Sequence, residues 1–189
     1  MLPEKDLEGE FFLSLFEMDK QLAERTQTQG CSCGGRLHVA DYPRKPRGLP
    51  AEVEDLYATR FSFCCAREDC RKRCTPASVR FLGRRVYVGA VVVFLSALRF
   101  IHAPNREADE RGPKVPRRTV RRWQKFWQSS FLASEFWQKE RGNFMPPLQQ
   151  SRLPASVLER CTGEFYHRLS ATLFWLSPIS KQSRFMKVR

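Results

Sequence analysis

Apolar positions near the start of the chain recur at helical spacing. Phe11, Phe12, Leu15, Phe16, Asp19 and Leu22 share one face at 3.6 residues per turn, which predicts an amphipathic helix over roughly 5–26. The stretch "ADYPRKPRGLPAE" holds three prolines and Gly48, so it reads as a loop carrying Arg44, Lys45 and Arg47. In "RFSFCC" the period changes to two, with Phe61, Phe63 and Cys65 on one face and Cys64 on the other. Thr75–Pro76 then turns the chain into a long apolar run. Val-rich composition from Val86 to Phe100 suits a strand, but its length, with Ala90, Leu95, Ala97 and Leu98, favours a buried helix over about 85–101.

The polar "HAPNREADERGPKVP" follows, a loop or a poorly formed short helix. Pro116 suits a first-turn position and Gly142 a C-terminal stop, which predicts one long helix between them. "NFMPPLQQSRLP" reads as a linker. A last helix over about 154–176 is apolar at Val157, Leu158, Cys161, Phe165, Leu169, Leu173 and Leu176, and the tail beyond Pro178 is basic and loose.

Length and composition are those of a folding chain: 189 residues, 42% hydrophobic and 12% aromatic. Pro3 to Glu10 is acidic and lacks the pattern of a secretory signal. The longest apolar stretch, Val86 to Ile101, contains Arg99 and is too short for a membrane span, so the expected setting is cytoplasmic, without a membrane partner. In such a reducing compartment, clustered cysteines are metal ligands more often than disulfides.

Charge narrows the class of partner. The net charge is +13, yet residues 1–30 hold seven acids against three bases, so the basic excess lies further along. A chain charged in this way is expected to meet a polyanion, of which nucleic acid is the commonest.

Four of the seven cysteines fall between Cys64 and Cys74, and an upstream pair stands in "GCSCGGRLH". Gly34 and Gly35 behind Cys31 and Cys33 let the backbone curl so that amides point at the sulfurs. Cys65 or Cys64, with Cys70, supplies a second knuckle. Cys65 shares the buried face with Phe61 and Phe63 and is the expected ligand, with Cys64 as its substitute. Four thiolates from two hairpin tips about thirty residues apart form a structural zinc ribbon held by Cys31, Cys33, Cys65 and Cys70, with Zn2+ as the cofactor. The spacings are C-x-C and C-x4-C or C-x5-C rather than the usual C-x2-C. Cys74 and Cys161 read as free thiols, and His38 as an exposed strand residue that would serve only as a replacement ligand.

The other concentrated signal is "KVPRRTVRRWQKFWQ". From Lys114 to Lys125 there are six bases and no acid. Val120, Trp123 and Trp127 mark a buried face, and Arg117, Arg118, Arg121, Arg122 and Lys125 fall mostly on the others. Such a helix has what a major-groove recognition helix requires: arginines for bases and phosphates, tryptophans for the scaffold.

These features together resemble a known group. The knuckle followed by "FCCAREDCRKRCTPASVRFLGRRVYVGAVV" is similar to the zinc-ribbon opening of insertion-sequence transposases, and "PRRTVRRW" resembles their recognition-helix pattern, over roughly residues 31–130. The resemblance implies zinc on Cys31, Cys33, Cys65 and Cys70, and DNA facing Arg117, Arg118, Thr119, Arg121, Arg122 and Lys125. It places the other helix of a helix-turn-helix in "NREADERG". Arg71, Lys72 and Arg73 beside the second knuckle would grip phosphates. After Gly142 the only acids are Glu159 and Glu164, so the three-carboxylate nuclease domain of those transposases is not expected.

The expected fold is mainly α with a small β zinc ribbon and a helix-turn-helix-like helical module. Its expected parts are an N-terminal amphipathic helix (1–30), the ribbon (31–80), the helical module (81–142), and a linker with C-terminal helix and tail (143–189). The expected function is non-enzymatic binding of duplex DNA, in association with a bacterial mobile element. Its rivals are an adaptor that docks a transposase or other protein, and an RNA-binding ribbon.

Overall fold

The computed structural model describes residues 7–83, 85–101 and 115–181. The chain is mainly helical with a small antiparallel sheet, as the periodicity anticipates. Helix α1 (Gly9–Gln29) buries Phe11, Phe12, Leu15, Asp19 and Ala23, a stripe at three- and four-residue spacing. Gly30, at φ 73°, ends the helix and delivers the chain to Cys31.

Strand β1 (Leu37–Val39) pairs with β4 (Phe63–Cys65), and β4 pairs with β5 (Arg73–Cys74), all antiparallel. The register sets Leu37 opposite Cys65 and His38 opposite Cys64. Between β1 and β4 the proline-rich stretch is more ordered than its composition suggests. Tyr42–Pro43 (β2) pairs with Thr59–Arg60 (β3), and a 3-10 turn at Ala51–Val53 leads into the short helix α2 (Glu54–Tyr57). Proline fits at β2 because that strand has one partner only.

Helix α3 runs from Gly89 to Ile101, four residues shorter at its start than expected. The preceding residues are extended: Tyr87 forms a parallel bridge with Arg47, whose amide donates to the Val86 carbonyl at 2.8 Å. Gly89 sits where a Cβ would meet the Val79 carbonyl and Leu173 at 3.2 Å, so the helix starts at a close backbone approach. The "NREADERG" segment lies outside the described residues, as does the tail beyond Lys181.

The single helix expected over 116–142 is two. Helix α4 (Arg117–Phe126) widens into a π turn at Trp127–Phe131, and α5 (Glu135–Glu140) restarts where Ser134 Oγ accepts from the Trp137 amide. The break turns Trp127, Phe131, Phe136 and Trp137 all inward, with Phe131 between Trp127 and Trp137 at 4.9 and 5.4 Å. A straight helix would carry some of these rings to the surface. The last expected helix is likewise two, α6 (Ala155–Arg160) and α7 (Phe165–Leu176), interrupted where Gly163 takes φ 94°.

Buried apolar side chains of α1 to α7 form one core, and Ala23, Cys31, Leu37, Phe63 and Cys65 a smaller one in the sheet. Asp19 and Arg80 join the two regions, with no side-chain exposure. Asp19 accepts from Arg80 Nε at 2.8 Å, Ser78 Oγ at 2.6 Å and the Val79 amide at 2.7 Å. Arg80 also donates to the Leu56 carbonyl, and its guanidinium lies 4.7–5.2 Å from the ring centres of Phe16, Tyr57, Phe61 and Phe81.

Breaking this pair from one side strands a charge in the core. Asp19→Ala is expected to cost about 3–5 kcal/mol of unfolding free energy in urea titration. A loss below about 1 kcal/mol would show that Arg80 finds water or another partner there.

Candidate metal centre and basic helix face

The first knuckle follows directly from the end of α1. Gly34, at φ 81°, closes a turn in which its amide donates to the Cys31 carbonyl at 2.8 Å, and the Cys31 amide reaches Gly35 O at 2.9 Å. A Cβ on Gly35 would stand 2.6 Å from Cys65 Sγ, so that position admits no side chain. The second knuckle leaves β4 at Cys65 and returns through Arg71, at φ 43°, into β5. Arg67 ties the two together: it donates to the Cys33 carbonyl at 3.2 Å and is forked on Asp69 at 2.8 and 3.0 Å.

Cys31, Cys33, Cys65 and Cys70 converge, with all four sulfurs within 4.8 Å of one another. Cys31 Sγ lies 3.7 Å from Cys70 Sγ, and Cys33 Sγ lies 3.5 Å from Cys65 Sγ. A tetrahedron with metal–sulfur bonds of about 2.3 Å has edges of about 3.8 Å, so the separations fit four thiolates on one ion. This group could hold a metal ion.

Three sulfurs receive backbone amides from two residues ahead. The Cys33 amide is the largest influence on Cys31 and, opposed by burial, lowers its pKa to about 6. At Cys65 the Arg67 amide acts in the same sense, but burial and the neighbouring cysteines prevail and push that thiol up to about 12. Cys70 receives the Lys72 amide and is also raised, chiefly by Cys33 and burial. Four thiols this close cannot all ionise without a cation, which is the electrostatic reason the set calls for one.

The alternatives at the third ligand resolve to Cys65. Cys64 is on the opposite face, its sulfur 3.4 Å from the Arg71 carbonyl. His38 is exposed, Cys74 packs half-buried beside the small core, and Cys161 lies 3.7 Å from Thr172 Oγ1; none belongs to the group.

The basic residues divide into those the fold uses and those it displays. Arg60 is buried, donating to the Pro76 carbonyl and to Ser180 Oγ. Arg44 bonds the Gly83 and Arg85 carbonyls, and Arg85 lies over the Phe126 ring at 3.9 Å. Burial lowers the Arg85 pKa to about 10. Arg71, Lys72 and Arg73 are exposed, though Arg73 also bonds Ala40 O and Ser62 Oγ and lies over Tyr42. Arg71 lies 3.9 Å from Glu68, and Lys72 3.5 Å from Ser32.

On α4, Arg117, Arg118, Arg121, Arg122 and Lys125 are exposed and Thr119 is half-buried. Trp123 and Trp127 are buried and Val120 half-buried, which is the division read from spacing. Trp123 packs edge-on against Tyr87 at 5.2 Å, which fixes α4 to the segment entering α3. Arg99 was legible only as a charge interrupting an apolar run. It donates to Gln124 Oε1 at 2.7 Å, linking α3 to α4.

No helix among the described residues is long and apolar enough to cross a membrane. Comparison with protein-family models, with curated proteins and with solved structures returns no match.

The cysteine geometry predicts one tightly held metal ion per chain by elemental analysis of purified protein. Cys70→Ser should lose it and destabilise the sheet by several kcal/mol, because a structural ion's binding energy is folding energy. Cys74→Ser and Cys161→Ser should retain it. A folded, metal-free parent would contradict the assignment.

Proposed function

We propose that the chain is a non-catalytic zinc-ribbon protein that binds duplex DNA. An all-thiolate, four-ligand set suits a structural zinc ion with no open coordination position. The ion would be held by Cys31, Cys33, Cys65 and Cys70 and would fasten the two knuckles, contributing fold and not chemistry.

The observation that carries the DNA reading is α4. Its five cations are exposed while Trp123 is buried behind them, and no acid occurs between Val115 and Ser134. Solvated helices usually intersperse acids for i, i+4 pairing, and this one does not. The inward tryptophans favour duplex DNA over single strands or RNA, for which aromatic side chains would stand exposed as stacking platforms. Arg71 and Lys72 would add phosphate contacts. The resemblance to insertion-sequence transposases supports a place beside a bacterial mobile element, as a transposon-end binder or regulatory accessory that meets a transposase or another protein.

The test is fluorescence anisotropy with duplex DNA, single-stranded DNA and RNA across a salt series. Duplex should bind best, and Arg71→Ala with Lys72→Ala should weaken all duplexes alike and flatten the log–log salt slope by roughly 0.9 for each phosphate left unneutralised. Arg118→Ala or Arg122→Ala should cost about 1–3 kcal/mol on a preferred site if it reaches a guanine edge. Arginine variants that bind as tightly as the parent at every salt concentration would favour the adaptor reading.

Added magnesium or manganese should produce no strand cleavage or joining. Metal-dependent nicking that Glu159→Gln abolishes would overturn the non-catalytic reading.

A further inference from the structure

The cations of α4 fall in two ladders at i, i+4 spacing: Arg118 with Arg122, and Arg117 with Arg121 and Lys125. Arg121 and Lys125 of the second ladder line a groove of about 510 Å³ between α4 and the end of α3. Arg99 of α3 lines the groove from the other side, so cations of two helices converge on it. Gln124, Gln128 and Ser129 add polar atoms, and no carboxylate of the described residues lines it.

Several details make this a seat for an anion. Arg99 is exposed, and its Nη1 bond to Gln124 Oε1 orients the guanidinium across the groove while leaving the Gln124 amide nitrogen as a further donor. The α3 terminus would otherwise repel an anion, but the Phe100 carbonyl accepts from Arg152 Nη2 at 3.3 Å. Gln128 is held by the Ser151 carbonyl at 3.1 Å. Among the described residues no carboxylate stands between these three cations, so an anion seated there would meet like charges of one sign only.

We infer that this groove seats backbone phosphates of the duplex, with Arg99, Arg121 and Lys125 as the phosphate contacts, while the Arg118–Arg122 ladder faces the bases. The inference rests on the DNA reading above and adds to it a second helix and a division of labour. Phosphate contacts set register and salt dependence, and base contacts set sequence preference.

The experiment is anisotropy of the full chain with a labelled duplex from 50 to 200 mM salt. Arg99→Gln, Arg121→Gln and Lys125→Gln should each flatten the slope by roughly 0.9, a three- to four-fold smaller loss of affinity over that range, and equally on every sequence. Lys139→Gln, which removes an exposed cation of α5 outside the groove, should keep the parental slope, with thermal melting of each variant as a check.

Parental slopes in all three groove variants, with Arg118→Gln weakened, would overturn the groove assignment and leave the DNA reading standing. Failure of the parent to bind duplex would remove both. Calorimetry with inorganic pyrophosphate forms the second arm. Binding that Arg99→Gln and Arg121→Gln abolish while duplex affinity is unchanged would assign the groove to free polyphosphate, and would likewise overturn the backbone assignment.

Discussion

The fold turns on a carboxylate and a guanidinium that are both removed from water. Asp19 sits on the buried stripe of α1, where an apolar residue would otherwise stand, and meets Arg80 in the connector between β5 and α3. Desolvating two charges costs several kcal/mol each, offset only when their lone pairs and protons find partners. Asp19 achieves this with one side-chain hydroxyl, one amide and the guanidinium; Arg80 bonds Asp19 and the Leu56 carbonyl and lies over four aromatic rings, while its Nη2 is buried without a hydrogen-bond partner among the described residues. Such a pair is weak as a source of stability and strong as a constraint. Its hydrogen bonds tie α1, α2 and the connector together.

That constraint places the candidate sites. The connector leaves the sheet at Cys74 and enters α3 at Gly89, so fixing Arg80 fixes how the cysteine-bearing strands join the helical core. Around it, other arginines act as internal struts. Arg60 holds the Pro76 carbonyl, Arg44 holds Gly83 and Arg85, and Arg85 covers Phe126 at the inner flank of α4. Part of the basic excess is therefore consumed by the architecture, including Arg60 and much of Arg67 and Arg73. Among the described residues, α4 displays five exposed cations on ten residues, and Arg71 and Lys72 are exposed beside the second knuckle. The local charge beside the knuckles combines a clamp for the turn, Arg67, with exposed cations at Arg71 and Lys72.

The legible parts were those whose signal is local. The α1 stripe, the tryptophan face of α4 and the cysteine pairs each declare themselves within a few residues of chain. Period-two alternation even chose Cys65 over Cys64, since the pleat sends neighbours to opposite faces. The Asp19–Arg80 pair spans 61 positions and leaves no periodic trace, so Asp19 read only as one more residue on the helical face. The helix breaks were missed for a similar reason. Trp127, Phe131, Phe136 and Trp137 read as continuous helix, although no straight helix can bury all four. At β2 and β3, proline suggested loop because pairing partners lie far off in sequence. Arg99 was hidden in apolar company, its role visible only once α4 lay beside it.

The central claim is that the exposed face of α4, carried on a metal-stabilised scaffold, is where duplex DNA binds. Amide hydrogen exchange of the full chain with and without saturating duplex addresses it directly. Slowed exchange should appear in Arg117–Phe126, at the end of α3 and around Arg71–Arg73, and should be absent from the buried side of α7. Unchanged exchange in α4 at saturating DNA, or protection confined to the C-terminal helices, would contradict the account.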